Sequence, residues 1–161
     1  MIVPAAGSGS RYGPGLPKQY ALLDGRPLIF HTLERMRSLQ PVALVVALAP
    51  DDAAWEQRIG GAPGVEIARC GGATRAATVR NALDTLASRC GDDDFVAVHD
   101  AARACVPLDA LQRLVAALAD EPLAREDPAW AIGRAAIARR PLPPGGDNAA
   151  IGADVQMVIL R

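Results

Sequence analysis

Several features that would place this 161-residue chain in a special class are missing from it. No apolar run reaches the roughly 20 residues that a membrane-spanning helix needs, because charges or prolines interrupt every stretch. The N-terminus lacks a basic region followed by an apolar run, so no signal peptide is indicated. Three cysteines without a CxxC pair argue against a disulfide framework and a zinc knuckle. We therefore expect a cytoplasmic protein with free thiols and no membrane partner.

An excess of charge of one sign is also lacking. The 17 basic and 18 acidic residues leave a net charge of −1, and aromatic residues make up 4%, so neither a basic field nor an aromatic platform for nucleic acid is present. Half of the residues are hydrophobic, which is typical of a globular chain, and the length suits a single domain, residues 1–161.

Lysine is nearly absent. The 17 basic residues comprise sixteen arginines and one lysine, Lys18. Richness in arginine and alanine is most simply a coding bias of a GC-rich genome. The single lysine retained against that bias is therefore a candidate functional residue.

Apolar runs alternate with amphipathic segments along the first 118 residues. Four apolar runs predict buried strands, at residues 1–6, 42–49, 65–68 and 95–98. Three segments carry apolar residues at helical spacing, at residues 28–39, 74–86 and 108–118. A further helix is expected to begin near Ala53, with Asp51 or Asp52 as its cap. This order predicts an α/β fold with a Rossmann-like, mostly parallel open sheet, helices on both faces, and a ligand at the carboxyl ends of the strands.

The alternation is lost after residue 118. Residues 120–150 hold five prolines and the doublet Gly145-Gly146, with only fragmentary apolar patches. Thirty residues without regular structure are unusual inside a compact domain. Residues 155–160 form either a terminal helix or a strand, and the pattern does not distinguish the two.

A glycine-rich loop, Gly7-Ser8-Gly9-Ser10-Arg11-Tyr12-Gly13, follows the first predicted strand. Glycines let several backbone N–H groups approach one anion, as phosphate-binding loops do, although a plain turn has the same composition. The spacing is one residue longer than the dinucleotide fingerprint, and the GK[ST] ending of a Walker loop is missing. Arg11 and Lys18 flank the glycines. Two cations beside a row of amides predict a polyphosphate site that neutralises charge on a transferred phosphoryl group.

Asp100 ends the apolar run at residues 95–98. A carboxylate there is able to hold Mg²⁺ through one oxygen while waters and phosphates complete the octahedron. The alternative is a turn in which Asp100 pairs with Arg103. We expect His99 to be a packed histidine rather than a catalyst, and His31 to be structural.

A second glycine turn, Gly71-Gly72, precedes the predicted helix at residues 74–86. Arg75 and Thr78 lie on the first turns of that helix and would point toward the same carboxyl edge of the sheet. A simple strand-to-helix turn explains the two glycines equally well.

Four blocks together resemble a known family. They are VPAAGSGSR at residues 3–11, LPKQY at 16–20, GGATRAATV at 71–79 and VHDAAR at 98–103. In order and separation they are similar to the signature blocks of the 2-C-methyl-D-erythritol 4-phosphate cytidylyltransferase family. The resemblance implies a transferase of the non-mevalonate isoprenoid pathway that joins CTP and methylerythritol phosphate and releases pyrophosphate. It further implies Mg²⁺, a Rossmann-like fold, and a homodimer in which a β-arm completes the neighbour's site.

The resemblance also implies a role for each residue at a matching position. Arg11 and Lys18 would be catalytic, stabilising the transition state as the acceptor phosphate attacks the α-phosphorus of CTP. Asp100 would lie by the metal. The nucleotide would be bound by eight residues, Ala5, Ala6, Gly7, Gly9, Gly72, Ala73, Arg75 and Thr78.

The chain departs from the family after residue 118, because residues 119–161 match it poorly. The blocks of the β-arm and the block with a second lysine are missing, although Asp147-Asn148 is a candidate remnant. Either the sequence joins segments of a longer chain across gaps, or the chain is truncated and inactive. Two alternative functions follow: a cytidylyltransferase for another polyol phosphate such as ribitol 5-phosphate, and a degenerate nucleotide-binding protein.

Overall fold

The computed structural model describes residues 1–7, 15–91, 94–119 and 157–160, with side chains as far as residue 116. Within these residues the main sheet has five strands: β1 (Ile2–Pro4), β4 (Val45–Ala47), β5 (Glu66–Ala68), β6 (Val96–His99) and β7 (Met157–Leu160). Two shorter strands, β2 (Leu22–Leu23) and β3 (Arg26–Pro27), form a hairpin. The helices are α1 (Leu28–Arg37), α2 (Ala54–Arg58), α3 (Arg75–Leu86) and α4 (Leu108–Ala119), with one 3₁₀ turn at Lys18–Tyr20.

The strand order of the main sheet is β5-β4-β1-β6-β7. Strands β5, β4, β1 and β6 run parallel, and β7 alone is antiparallel, pairing with β6. Parallel strands need a crossover connection, which α1 supplies between the neighbours β1 and β4 and α2 between the neighbours β4 and β5. Helix α3 connects β5 to β6, which lies on the other side of β4 and β1. The predicted Rossmann-like, mostly parallel sheet is confirmed. The undecided segment at residues 155–160 contains a strand, at Met157–Leu160.

Alternate residues of each central strand pack on opposite faces of the sheet. Val3 and Val46 contribute to one core cluster, together with side chains of α1 and α4. Ile2, Val45 and Val98 contribute to the other, which includes side chains of α3. This alternation follows from the period of two along a strand, and it confirms helices on both faces.

The strands are shorter than the apolar runs that predict them. The run at residues 42–49 yields only Val45–Ala47 as a strand, although Leu44 and Leu48 are also buried. Val42, by contrast, is fully exposed. Apolar residues are needed wherever the chain is buried, so an apolar run extends beyond the paired backbone of a parallel strand.

The hairpin of β2 and β3 is absent from the sequence predictions. Asp24 and Gly25 connect its strands, both with positive φ, 51° and 72°. Two central residues of positive φ are the geometry of a type I′ turn, for which Asp-Gly is a preferred dipeptide. The Asp24-Gly25 dipeptide is the feature of the sequence from which this hairpin could have been predicted. The flanking strands of two residues each were too short to show an alternating pattern.

Ala53 occupies the N-cap position of α2, and of the two predicted cap residues it is Asp52 that bonds to the first turn. The helix begins at Ala54, and the Asp52 Oδ1 atom accepts a hydrogen bond of 3.1 Å from the Trp55 N–H. Among the described residues no helix has the length and apolar character needed to cross a membrane.

Helix α1 is joined to the loop after β6 by one buried side-chain hydrogen bond. Thr32 Oγ1 donates to the Ala101 carbonyl oxygen at 2.9 Å, and both residues are buried. We expect Thr32→Val to lower the free energy of unfolding by about 1–3 kcal/mol, because it leaves a buried carbonyl without a partner. Thr85→Val is the matched control, since the Thr85 hydroxyl bonds locally to Ala82 within α3. Urea denaturation of the two variants should separate them, and equal midpoints would contradict the prediction.

Candidate functional site

Three of the chain segments singled out in the sequence meet at the carboxyl edge of the sheet. Ala6 and Gly7 follow β1, Gly71 follows β5, and Asp100 follows β6. A Cβ atom placed on Gly71 would lie 2.4 Å from the Ala6 Cβ and 2.8 Å from the Leu48 carbonyl oxygen. Only glycine therefore fits there, and the second glycine turn packs directly against the beginning of the first.

At the end of β1, both backbone polar groups of Ala5 are hydrogen-bonded. The Ala5 N–H donates to the Ala47 carbonyl at 2.8 Å, and the Ala5 carbonyl accepts a bond of 2.8 Å from Gln19 Nε2. Among the residues that the structure describes, the N–H groups of Ala6 and Gly7 have no hydrogen-bond acceptor. Gly9 and Arg11, which were predicted to continue this site, lie outside the described residues.

The turn between Gly72 and α3 is fixed by hydroxyl groups. Thr74 caps the helix, its Oγ1 accepting from the Ala77 N–H at 3.1 Å. The Thr78 Oγ1 accepts from the Gly72 N–H at 3.0 Å and donates to the Thr74 carbonyl at 3.1 Å. Thr78 is buried, and its hydroxyl is engaged within the turn both as donor and as acceptor, so the structure assigns it a role in shaping the turn. Ala73 lies between these groups in the same turn.

Asp100 is bound by two arginines. Arg75 Nε donates to Asp100 Oδ1 at 2.8 Å, and Arg103 Nε donates to Oδ2 at 3.0 Å. The pairing with Arg103 was one of the two readings of the sequence, and Arg75 is a second partner that reaches across from α3. The Asp100 side chain keeps 25% of its surface exposed. The ion pairs therefore orient the carboxylate without closing it off from a ligand.

His99 is a packed histidine, as expected. It is completely buried, and its Nε2 donates to the Arg103 carbonyl at 3.0 Å. Burial lowers the pKa of His99, so the ring is neutral near pH 7. His31 also has a structural bond, from its Nε2 to the Leu23 carbonyl at 2.8 Å, which joins α1 to the hairpin.

Lys18 is exposed in the 3₁₀ turn, and the two residues after it are buried. Gln19 bonds to Ala5 as described, and Tyr20 Oη donates to Asp52 Oδ2 at 2.7 Å. Burial, with the Asp52 carboxylate next in effect, raises the pKa of Tyr20, so its hydroxyl keeps the proton. The sequence analysis placed Gln19 and Tyr20 in the LPKQY block and Asp52 at a helix cap, but it predicted neither of these two contacts. The contact between Tyr20 and Asp52 joins residues 32 positions apart, and no local sequence pattern predicts such a contact.

No metal centre built from protein side chains alone is present in the described residues, since no group of three or more His, Cys, Asp or Glu side chains gathers there. Asp100 is thus not part of a cluster of three or more such side chains within the described part of the chain. Mg²⁺ is commonly bound by one or two carboxylates, with waters and substrate phosphates completing its shell. The residues present fit that mode, and the assignment of Asp100 to a metal stays a prediction.

Comparison with known proteins gives a consistent result. Residues 1–128 match the family model described as IspD: 2-C-methyl-D-erythritol 4-phosphate cytidylyltransferase. A relative of that name from Dechloromonas aromatica is 51% identical over 125 residues, covering 76% of this chain and 55% of the relative. Another from Chromobacterium violaceum is 46% identical over 118 residues, covering 73% and 52%. The chain therefore spans about half the length of the curated relatives it matches.

Solved structures agree with these relatives. A crystal structure of 4-diphosphocytidyl-2C-methyl-D-erythritol synthase superposes with a TM-score of 0.60 at 35% identity, covering 71% of this chain and 51% of that one. The 2-C-methyl-D-erythritol 4-phosphate cytidylyltransferase of Francisella tularensis gives a TM-score of 0.57 at 30% identity, covering 75% and 52%.

The contact between the two glycine turns is directly testable. We expect Gly71→Ala to destabilise the protein by about 1–3 kcal/mol, because the added methyl group overlaps Ala6 and the backbone of Leu48. Gly61→Ala is the matched control, since a Cβ atom there meets nothing within 4 Å. The urea midpoints of both variants provide the measurement. An unchanged midpoint for Gly71→Ala would show that the two turns do not pack as described.

Proposed function

The chain belongs to the 2-C-methyl-D-erythritol 4-phosphate cytidylyltransferase family, and from this premise we propose that the protein transfers CMP from CTP to methylerythritol phosphate. The products are 4-diphosphocytidyl-2-C-methyl-D-erythritol and pyrophosphate. One structural observation supports the proposal above others: Gly71 lies against Ala6, and Arg75 reaches Asp100, so that three separate motifs form one site.

The reaction is an in-line displacement at phosphorus. An oxygen of the acceptor phosphate forms a bond to the α-phosphorus of CTP, and the bond from that phosphorus to the bridging oxygen breaks, releasing pyrophosphate. The amides of Ala6 and Gly7 bind the nucleotide's phosphates, and the cations of Lys18 and Arg11 neutralise the charge that develops during transfer. The remaining contacts to the nucleotide come from Ala5, Gly9, Gly72, Ala73, Arg75 and Thr78.

Asp100 is the proposed protein ligand of Mg²⁺. Each of its oxygens accepts from one arginine nitrogen, which leaves a further lone pair on each oxygen. Bound Mg²⁺ supplies charge neutralisation on the phosphates. Arg75 and Arg103 keep the carboxylate in one orientation, so that its position does not depend on the ligand.

We further propose that the protein works in the cytoplasm as a homodimer. Cys70, Cys90 and Cys105 are free thiols, which favours a reducing compartment and hence the cytoplasm. A homodimer follows from the family resemblance. The partners are accordingly CTP, a polyol phosphate and a second copy of the chain.

The function is tested by measuring pyrophosphate release from CTP with methylerythritol phosphate or ribitol 5-phosphate as the acceptor. We expect turnover with methylerythritol phosphate, little turnover with ribitol 5-phosphate, and loss of turnover in EDTA that added Mg²⁺ restores. A preference for ribitol 5-phosphate would move the assignment to another polyol phosphate. Binding of CTP without turnover of either acceptor would indicate a degenerate nucleotide-binding protein.

Removal of the single lysine tests the catalytic site itself. We expect Lys18→Ala to lower the rate of pyrophosphate release by about 10²–10³-fold, the usual effect of losing one donor to a charged transition state. Lys18→Arg should restore the rate only partly, because a guanidinium fork does not reproduce a compact ammonium. Arg58→Ala, which removes an exposed cation from α2, serves as the control and should leave the rate unchanged. Retained turnover in Lys18→Ala would refute the proposed role.

A further inference from the structure

Lys18 lies in a segment that is too short to be stable as an isolated turn. The 3₁₀ turn has three residues, and its backbone is closed by bonds from Tyr20 N–H to the Pro17 carbonyl and from Ala21 N–H to the Lys18 carbonyl, 2.9 and 3.1 Å long. A single turn of this kind is only marginally stable alone. The exposed Lys18 side chain adds no packing. The position of Lys18 must therefore be set by the residues that follow it.

Gln19 anchors the turn to the end of β1. Its side chain is only 4% exposed, and its Nε2 donates to the Ala5 carbonyl at 2.8 Å. Ala5 immediately precedes Ala6 and Gly7, whose amides are proposed above to bind the nucleotide's phosphates. The hydrogen bond from Gln19 to Ala5 therefore joins the residue after Lys18 to the residue before Ala6 and Gly7.

Tyr20 anchors the turn to the loop after β4. The side chain is 1% exposed, and its hydroxyl donates to Asp52 Oδ2. The Asp52 carboxylate is itself held, because its other oxygen accepts from the Trp55 N–H, and the Asp52 carbonyl accepts from Arg69 at 2.9 Å. A hydrogen bond to an ionised acceptor is roughly twice as strong as a neutral one. The tyrosine is therefore bonded to a group that does not move independently of the sheet.

We propose that Gln19 and Tyr20 are positioning residues, which hold the backbone of Lys18 close to the end of β1 and so keep its ammonium within reach of the amides of Ala6 and Gly7. The inference rests on the proposed function, because it concerns the lysine of that reaction. Neither residue needs to touch the substrate. An ammonium that acts on the transition state contributes little to ground-state binding, so its displacement should lower kcat and leave the KM for CTP unchanged.

Tyr20→Phe tests the proposal, because it removes the hydroxyl and keeps the ring in the core. We expect kcat to fall about 10- to 100-fold, the cost of a small misplacement of a catalytic group, with the KM for CTP constant within about twofold. In the free protein, amide hydrogen exchange at residues 20 and 21 should rise by about tenfold, whereas exchange at Thr78 in α3 stays unchanged. Thr85→Val is the control. It also removes one hydroxyl hydrogen bond, of 2.7 Å, and should leave kcat unchanged.

Gln19→Met provides a second variant at the other anchor, and it should show the same fall in kcat and the same local rise in exchange. Unchanged kcat in both variants would overturn the proposal. So would faster exchange throughout the sheet with a matching loss of active protein, since that result indicates a purely structural role. If the parent protein releases no pyrophosphate, the proposed function fails separately. The exchange measurement then decides alone: a rise confined to residues 20 and 21 supports the anchors, and unchanged exchange there refutes them.

Discussion

Strand β1 is the constraint on which the rest of the structure depends. Its residues pair with β4 on one side and β6 on the other, and they alternate between the two core clusters, Val3 in one and Ile2 in the other. Because these strands are parallel, their carboxyl ends meet at a single edge. The glycine loop leaves from the middle of that edge. Any ligand held there is consequently within reach of the residues that follow β5 and β6.

The sequence predicted the parallel sheet and its helices because buried strands and amphipathic helices have distinct patterns. It did not predict where pairing stops, since Leu48 is as buried as the strand before it. The hairpin at residues 22–27 was missed because two-residue strands carry no period, although its Asp24-Gly25 turn is a recognisable dipeptide. The strand Met157–Leu160 pairs with β6, a partner about 60 positions away along the chain. Local composition carries no record of such a pairing.

The site was predicted unevenly, for a physical reason. Residues that follow strands, such as Asp100 and Gly72, were predicted to share an edge because topology alone brings them together. The supporting bonds were not foreseen, because Tyr20 to Asp52 and Arg75 to Asp100 link residues from different elements. Such contacts depend on how two elements pack, and one sequence does not record that packing. The residues themselves indicated a polyphosphate site at Arg11 and Lys18 and a candidate Mg²⁺ ligand at Asp100, whereas the identity of the nucleotide and of the acceptor came from the family resemblance.

The scarcity of lysine gives the protein a built-in reporter. Lys18 is the one lysine among 161 residues and its side chain is exposed, so an amine-selective reagent meets a single side-chain target in this chain. Reductive methylation with isotopically labelled formaldehyde would place one methyl signal at this side chain. The chemical shift of that signal would then follow events at the strand ends without any engineered label.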